Sequence, residues 1–218
     1  MERPSDFGAE MAKKAEFWVY INPGNVKPET GNGFMIIETI FSTTDAEGNP
    51  NFAPMGLLLG KEYVTVRPYR NTQTCRNLLE TGCGVANITD NVLAYVQTAL
   101  YDAVLPYNPA RVVRGIVFIQ ACSWREVELV DAGGTEDRAE LRCRVVHTES
   151  RRDFLGFCRA ANAVIEAAIL ATRLDSYDGK IVNEKMVGFD TIVDKTGSLL
   201  EKEAMKLVWE YIRKEEAE

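Results

Sequence analysis

Histidine is almost missing from this chain: its 218 residues include one, His147. Hydrolytic chemistry of the Ser-His-Asp or Cys-His kind would have to use that imidazole. Its surroundings, RCRVVHTES, hold no nucleophile elbow, so His147 reads as a strand-end residue at the surface or in a polar contact. The five cysteines, Cys75, Cys83, Cys122, Cys143 and Cys158, are odd in number and never form a C-x-x-C pair. Neither a zinc site nor a disulfide framework is expected. No G-x-x-x-x-G-K occurs, and no G-x-G-x-x-G follows a strand-like run, which removes P-loop nucleotides and Rossmann dinucleotides. Basic excess is lacking too: 25 Lys and Arg stand against 32 Asp and Glu, for a net charge of −7. Such a chain does not displace counterions from nucleic acid in general. The longest apolar stretch, AVIEAAILA, is short for a bilayer and carries Glu166. The opening MERPSDFGAEMAKK mixes charges and has no signal-peptide core. A soluble, cytoplasmic protein without a membrane or nucleic-acid partner is expected.

What is present is a β-rich front. Hydrophobic residues make up 46% of the chain, enough for a packed core. FMIIETIFSTT and NFAPMGLLLG are β-prone runs joined by DAEGNP, whose residues supply turn geometry. KEYVTVRP follows, and Pro68 ends its ladder because proline has no N–H to donate. These make a three-stranded meander. A short helix is predicted over about Thr72–Thr81, capped by Asn71 or Thr72 and closed by Gly82. CGVANI is then a buried strand, and NVLAYVQTALYD a second helix behind Asp90 or Asn91. RGIVFIQACSWREVELVDAGG and RAELRCRVVHTE read as two long strands around DAGGTED. The class is therefore mainly β with α, and a closed or partly closed antiparallel barrel fits better than a doubly wound sheet.

The texture changes at residue 150. SRRDFLGFCRAANAVIEAAILATRL is predicted to be one long helix, with Ser150 and Asp153 available as caps. Its Ala160, Ala161, Val164 and Ala168 offer a face for close packing against the barrel or a partner chain. KTGSLLEKEAMKLVWEYIRKEEAE is another helix, with Ser198 and Glu201 at capping-box spacing and a stripe of Leu200, Ala204, Leu207, Val208 and Tyr211. The expected organisation is a barrel domain over 1–150 and a helical extension over 151–218 packed on it.

One stretch raises a functional question. VTVRPYRNTQTCRNLLETG gathers Arg67, Arg70 and Arg76 with no acidic residue between Glu62 and Glu80. A strand delivering Arg67, a turn with Tyr69 and Arg70, and a helix opening at Thr72 would bring guanidinium forks, hydroxyls and free helix N–H groups together. That is the donor set a terminal phosphate requires. The competing reading is a solvated surface whose arginines pair with carboxylates. Two other places add weight to a ligand. NPNFAPMG presents small residues, Ala53, Pro54 and Gly56, where a flat ring could approach the chain, and GVANITD ends a strand with Asn87 and Thr89, suited to a polar ring edge.

ETIFSTTDAEGNPNFAPMG followed by VRPYRNTQTCRNLLETGCGVANITDN resembles an archaeal family of unknown function built on the FMN-binding split barrel. That fold is similar to flavoredoxins, flavin reductases and pyridoxamine phosphate oxidases. FCRAANAVIEAAILATRL and KTGSLLEKEAMKLVWEYI resemble the helical C-terminal part of the same family. The resemblance covers about Phe34 to Ile212. It implies a homodimer with FMN at the subunit interface, and a small-molecule electron donor or acceptor. By the same carry-over Arg67, Tyr69, Arg70, Thr72 and Thr74 are phosphate and ribityl candidates. Asn51, Pro54, Met55 and Gly56 would face the ring, with Asn87 and Thr89 near its polar edge. A flavin-dependent oxidoreductase is the first functional expectation and a noncatalytic flavin or pterin carrier the second. A pyridoxamine phosphate oxidase comes last, because no substrate residues for it are recognised.

Overall fold

Closure of a sheet into a barrel is what organises the front of the chain. The computed structural model describes residues 35–217, and Ile36–Glu218 form one compact unit. The charge-mixed opening stretch lies outside the described residues. Strands β1 (Ile36–Thr44), β2 (Pro50–Leu59) and β3 (Tyr63–Val66) make the expected meander. With β4 (Cys83–Ile88), β7 (Ser123–Gly134) and β8 (Ala139–Ser150) they close in the order β1-β2-β3-β8-β7-β4, antiparallel throughout. A separate ribbon pairs β5 (Tyr107–Pro109) with β6 (Ile116–Phe118).

The two-residue period of each strand divides its side chains between two cores. Phe41, Leu57, Val64, Val66, Leu141 and Cys143 fill the barrel interior. Ile40, Phe52, Val85 and Trp124 face outward into a second core with the helices. Each fully buried large side chain contributes about 1.5–3 kcal/mol of transfer free energy. Helix α1 (Gln73–Thr81) belongs to the interior core through Cys75 and Leu78. Helix α2 (Val92–Leu100) lies on the outer face, with Asn91 as its cap.

Beyond Ser150 come α3 (Arg159–Ala171), a short 3-10 turn, α4 (Gly179–Thr196) and α5 (Leu199–Glu215). They share the outer core with α2. Helix α5 starts in the expected capping box, with Ser198 and Glu201 bonded reciprocally. No helix among the described residues is long and apolar enough to cross a membrane.

Two expectations are corrected. RGIVFIQACSWREVELVDAGG is not one strand: a turn after Phe118, closed by Ala121 N–H to Phe118 O at 3.1 Å, separates β6 from β7. The helix expected from Ser150 begins only at Arg159, and neither Ser150 nor Asp153 caps it. Arg151 and Arg152 instead give their N–H groups to Cys122 O at 2.8 and 3.2 Å. The Arg152 guanidinium grips the Asp90 carboxylate, and Gly156 adopts a left-handed φ of 98°; a helix cannot run through that geometry. Helix α4 is a further addition. Its stripe, Val182, Met186 and Val193, was readable at helical spacing behind an Asp178 cap.

Among the described residues Glu126 is the most deeply buried acid, and it explains how the loop before β6 is shaped. Its carboxylate accepts the N–H groups of Arg111 at 2.8 Å, Val112 at 2.6 Å and Val113 at 3.0 Å. Burial by itself would push the carboxyl up, but those backbone donors outweigh it and hold it below the usual carboxylate range. A folded value below the unfolded one contributes stability that is present at neutral pH and lost as pH falls through the folded value. Glu126→Gln is expected to lower stability by about 1.5–3 kcal/mol at pH 7, since the charge is lost and one of the two accepting oxygens becomes an NH2 that faces backbone donors. Urea unfolding across pH should show the gap between parent and variant shrinking in acid.

Candidate functional site

Strand β3 runs into the arginine stretch, and Thr72 sets the corner from which α1 departs. With φ −83° and ψ 154° it is extended, and its Oγ1 accepts from Cys75 N–H at 3.3 Å. The same hydroxyl donates to Tyr69 O at 2.7 Å. Arg76 N–H takes Thr72 O, so among the described residues the first-turn N–H groups of Gln73 and Thr74 meet no acceptor. No acidic residue sits in that turn, and the positive end of the helix dipole is unopposed there.

The structure ranks the three arginines, which composition could not. Arg67 pairs with Glu140 at 2.8 Å, and both side chains are about half exposed; such a pair is worth about 0–1 kcal/mol. Arg70 has no carboxylate partner among the described residues. Its Nε donates to Thr135 O at 2.7 Å and its Nη2 to Gly133 O at 3.1 Å, clipping the corner to the β7–β8 turn. Arg76 donates to Asn71 O at 2.7 Å and Gln73 Oε1 at 2.9 Å. Bonds to neutral carbonyls orient both guanidinium groups without cancelling their charge. The Cys75 thiol, pushed up by burial, is pulled the other way by Arg70 and Arg76, so both charges act on the first turn of α1. Tyr69 is exposed under Arg138, whose Cζ lies 4.2 Å from the ring centroid. Hydrogen bonding and charge from Arg138 lower the phenol below its ordinary value.

Behind this corner lies a buried polar network that includes two of the expected residues. Asn51 gives its Nδ2 to Thr43 Oγ1 and Thr74 Oγ1, both at 3.1 Å. Asn77 gives its Nδ2 to Thr43 Oγ1 at 3.1 Å and accepts from Gln73 Nε2. Thr43 and Asn77 were not among the expected site residues. Asn77 had a signal, one helical turn from Gln73, whereas the pairing of Thr43 with Asn51 in the β1–β2 register is seen only in the structure.

Strand alternation separates the other residues expected to face a ring. Met55 packs with the barrel interior, whereas Pro54 and Gly56 lie on the outward face with Ile40 and Glu38 opposite them. At Gly56 a Cβ would stand 2.7 Å from Ile36 Cγ2 and 3.0 Å from Glu38 Oε1, so a glycine is what lets these two side chains lie close to the strand. Glu38 accepts from Tyr95 Oη at 3.0 Å, and burial together with Glu38 raises the Tyr95 phenol.

Asn87 and Thr89 occupy joints of the fold. Asn87 is fully buried; its Nδ2 donates to Ile40 O at 3.0 Å and Ser42 Oγ at 2.9 Å, and its Oδ1 accepts Phe118 N–H at 2.9 Å. Both ends of its amide are thereby engaged within the protein, tying β1, β4 and β6. Thr89 donates to Gln120 O at 3.2 Å and accepts Asn91 N–H at 3.1 Å. Neither shares a hydrogen-bond partner with the Arg70 corner. His147 contacts Glu149 at 3.1 Å on β8. Among the described residues no cluster of three or more His, Cys, Asp or Glu is placed to hold a metal.

Comparison with known proteins agrees with this architecture. The chain resembles an FMN-bound protein from Methanosarcina mazei, with a TM-score of 0.69 and 26% identity over 82% of this chain and 96% of that one. A flavoredoxin from Methanosarcina acetivorans aligns at a TM-score of 0.47 and 11% identity, over 60% of this chain and 78% of the other. A 2-nitrobenzoate 2-nitroreductase from Pseudomonas fluorescens aligns at 0.47 and 15%, over 69% and 77%. The model of the family described as protein of unknown function (DUF447) matches in two parts, its N-terminal domain over residues 37–152 and a second part over 158–210. These spans leave only the short Asp153–Phe157 stretch between them, and with more than half of its length matched the chain belongs to the DUF447 family.

Proposed function

We propose that this protein binds FMN noncovalently and works as a flavin-dependent oxidoreductase. The observation that carries the reading is the pair of oriented, uncancelled guanidinium groups, Arg70 and Arg76, at the open start of α1. The FMN-bound relative, similar over 82% of this chain, supports it. The donor set fits a terminal phosphate: two guanidinium forks and the N–H groups of Gln73 and Thr74. On the outward face of β2 Gly56 projects no Cβ, and a ring placed there would lie against Ile36 Cγ2 and the Glu38 carboxylate, which flank that glycine. Bound FMN supplies hydride or single-electron transfer. The chain's own residues bind its phosphate, hold its ring against β2 and set its exposure.

A titration followed by flavin fluorescence should show FMN bound in preference to riboflavin. Arg70→Ala should weaken FMN about ten- to a hundredfold, the loss of a charge-assisted hydrogen bond, and leave riboflavin nearly unchanged. Equal losses for both would remove Arg70 from the phosphate. The redox part is tested separately, by anaerobic mixing of the FMN-loaded protein with NADH or NADPH. Rapid bleaching of the flavin absorbance is the expected result; lasting colour with both donors would favour a flavin carrier.

We further infer that the working form is a homodimer. The Ala-rich face of α3 cannot be its interface, because Ala160, Val164 and Ala168 are buried within their own chain. The stretch before α3 is a better surface: Phe154, Leu155 and Phe157 are 50%, 88% and 102% exposed. Arg152 and the Leu155 N–H fix this stretch to Asp90, whose carboxyl the Arg152 hydrogen bond draws down to about 2. Exposed apolar groups held in place are characteristic of interaction sites. Light scattering at micromolar concentration should give a dimer mass for the parent and a monomer mass for Phe157→Asp. A folded parent monomer that still binds FMN would overturn this.

A further inference from the structure

The buried network behind α1 has a direction, and the direction bears on what Asn51 offers a ligand. Arg76 can only donate, so Gln73 turns its Oε1 toward it and gives its Nε2 to Asn77 Oδ1. Asn77 is then left to donate its Nδ2 to Thr43 Oγ1. Each step is fixed by the one before it, and Thr43 receives a hydrogen while retaining one to give. Thr43, Thr74 and Asn77 are buried, and Asn51 is half-buried.

In the structure Asn51 also donates, giving Nδ2 to Thr43 and Thr74. No acceptor among the described residues then takes the two threonine hydroxyl protons, and no described donor meets Asn51 Oδ1. That oxygen would present partial negative charge beside the open N–H groups of α1. Half a turn of the carboxamide about Cβ–Cγ exchanges its oxygen and nitrogen at the same two positions. Both hydroxyls would then donate to Oδ1, since a threonine gives and accepts equally well, and Nδ2 would point away from the network as a donor.

We propose that Asn51 is a hydrogen-bond donor to the cofactor phosphate rather than a ring contact, and that Thr43, held by Asn77, is the positioning residue that orients its carboxamide. The proposal rests on the FMN reading above, and it assigns to Thr43 and Asn77 a task that packing alone would not require. Asn51 contacts the ligand; Thr43 and Asn77 act through it.

Asn51→Asp decides between donor and acceptor. A carboxylate keeps the inner contacts, because it can accept from both threonine hydroxyls, but it offers the phosphate a like charge. FMN affinity should fall by about a hundredfold or more, with riboflavin affinity changed by less than about threefold. If Asn51 instead accepts from a ribityl hydroxyl or a ring N–H, the aspartate should bind both flavins at least as well as the parent. A folded Asn51→Asp protein that keeps parental FMN affinity, or that loses riboflavin equally, overturns the proposal. Should Asn51→Asp not fold, the Thr43 pair settles the matter. Thr43→Val should lose about tenfold in FMN affinity and Thr43→Ser should restore it, with thermal unfolding used to confirm that both are native. A native Thr43→Val protein with parental FMN affinity would overturn the positioning role. The parent titration separates the two readings: a parent that binds neither flavin overturns the FMN assignment itself, while a failure confined to the variants overturns only the role of Asn51 and Thr43.

Discussion

Barrel closure is the constraint from which the other features follow. In a closed antiparallel sheet each strand has an inside and an outside, and neighbouring residues cannot share one. That rule sends Phe41 inward and Ile40 outward, gives the chain two cores, and decides what any surface site can contain. It also separates Asn51 and Met55 from Pro54 and Gly56 on a single strand. A ligand lying along the outside of β2 meets the second pair, while of the first, Asn51 lies beside α1 through Thr74 and Met55 packs with the barrel interior. The candidate site therefore divides between the outward face of β2 and a polar end at α1.

Much of this was legible in the sequence, and for local reasons. The β1–β2 hairpin, the short α1 with its Thr72 and Gly82 ends, and the capping box at Ser198 are all written in residues close together in the chain. What was not legible depends on contacts between distant residues. The helix expected after Ser150 is interrupted because Arg152 finds Asp90, across 62 positions of sequence. The strand expected over RGIVFIQACSWREVELVDAGG is divided at a turn just past Phe118, whose N–H is taken by Asn87, 31 positions away.

The same distinction runs through the site. The arginine stretch was visible as composition, but which arginine is neutralised depends on Glu140, a β8 residue that only the barrel brings alongside Arg67. Asn87 looked like a ligand contact because an amide ends a buried strand. Its actual surroundings, two acceptors from β1 and a donor from β6, were beyond any local reading. Thr43 was missed for the opposite reason: a threonine in a strand of threonines carries no local mark, and its importance comes from the amides that converge on it.

The way Arg70 is held has a consequence for proton linkage. Its guanidinium is oriented by the carbonyls of Gly133 and Thr135, which do not titrate, and an arginine keeps its charge throughout the physiological range. Arg76 is held in the same manner, and the single histidine of the chain is engaged on β8 with Glu149. The corner is thus a fixed positive charge. A phosphate monoester placed there would bring its own second ionisation near about pH 6, a proton that neither guanidinium supplies or takes up.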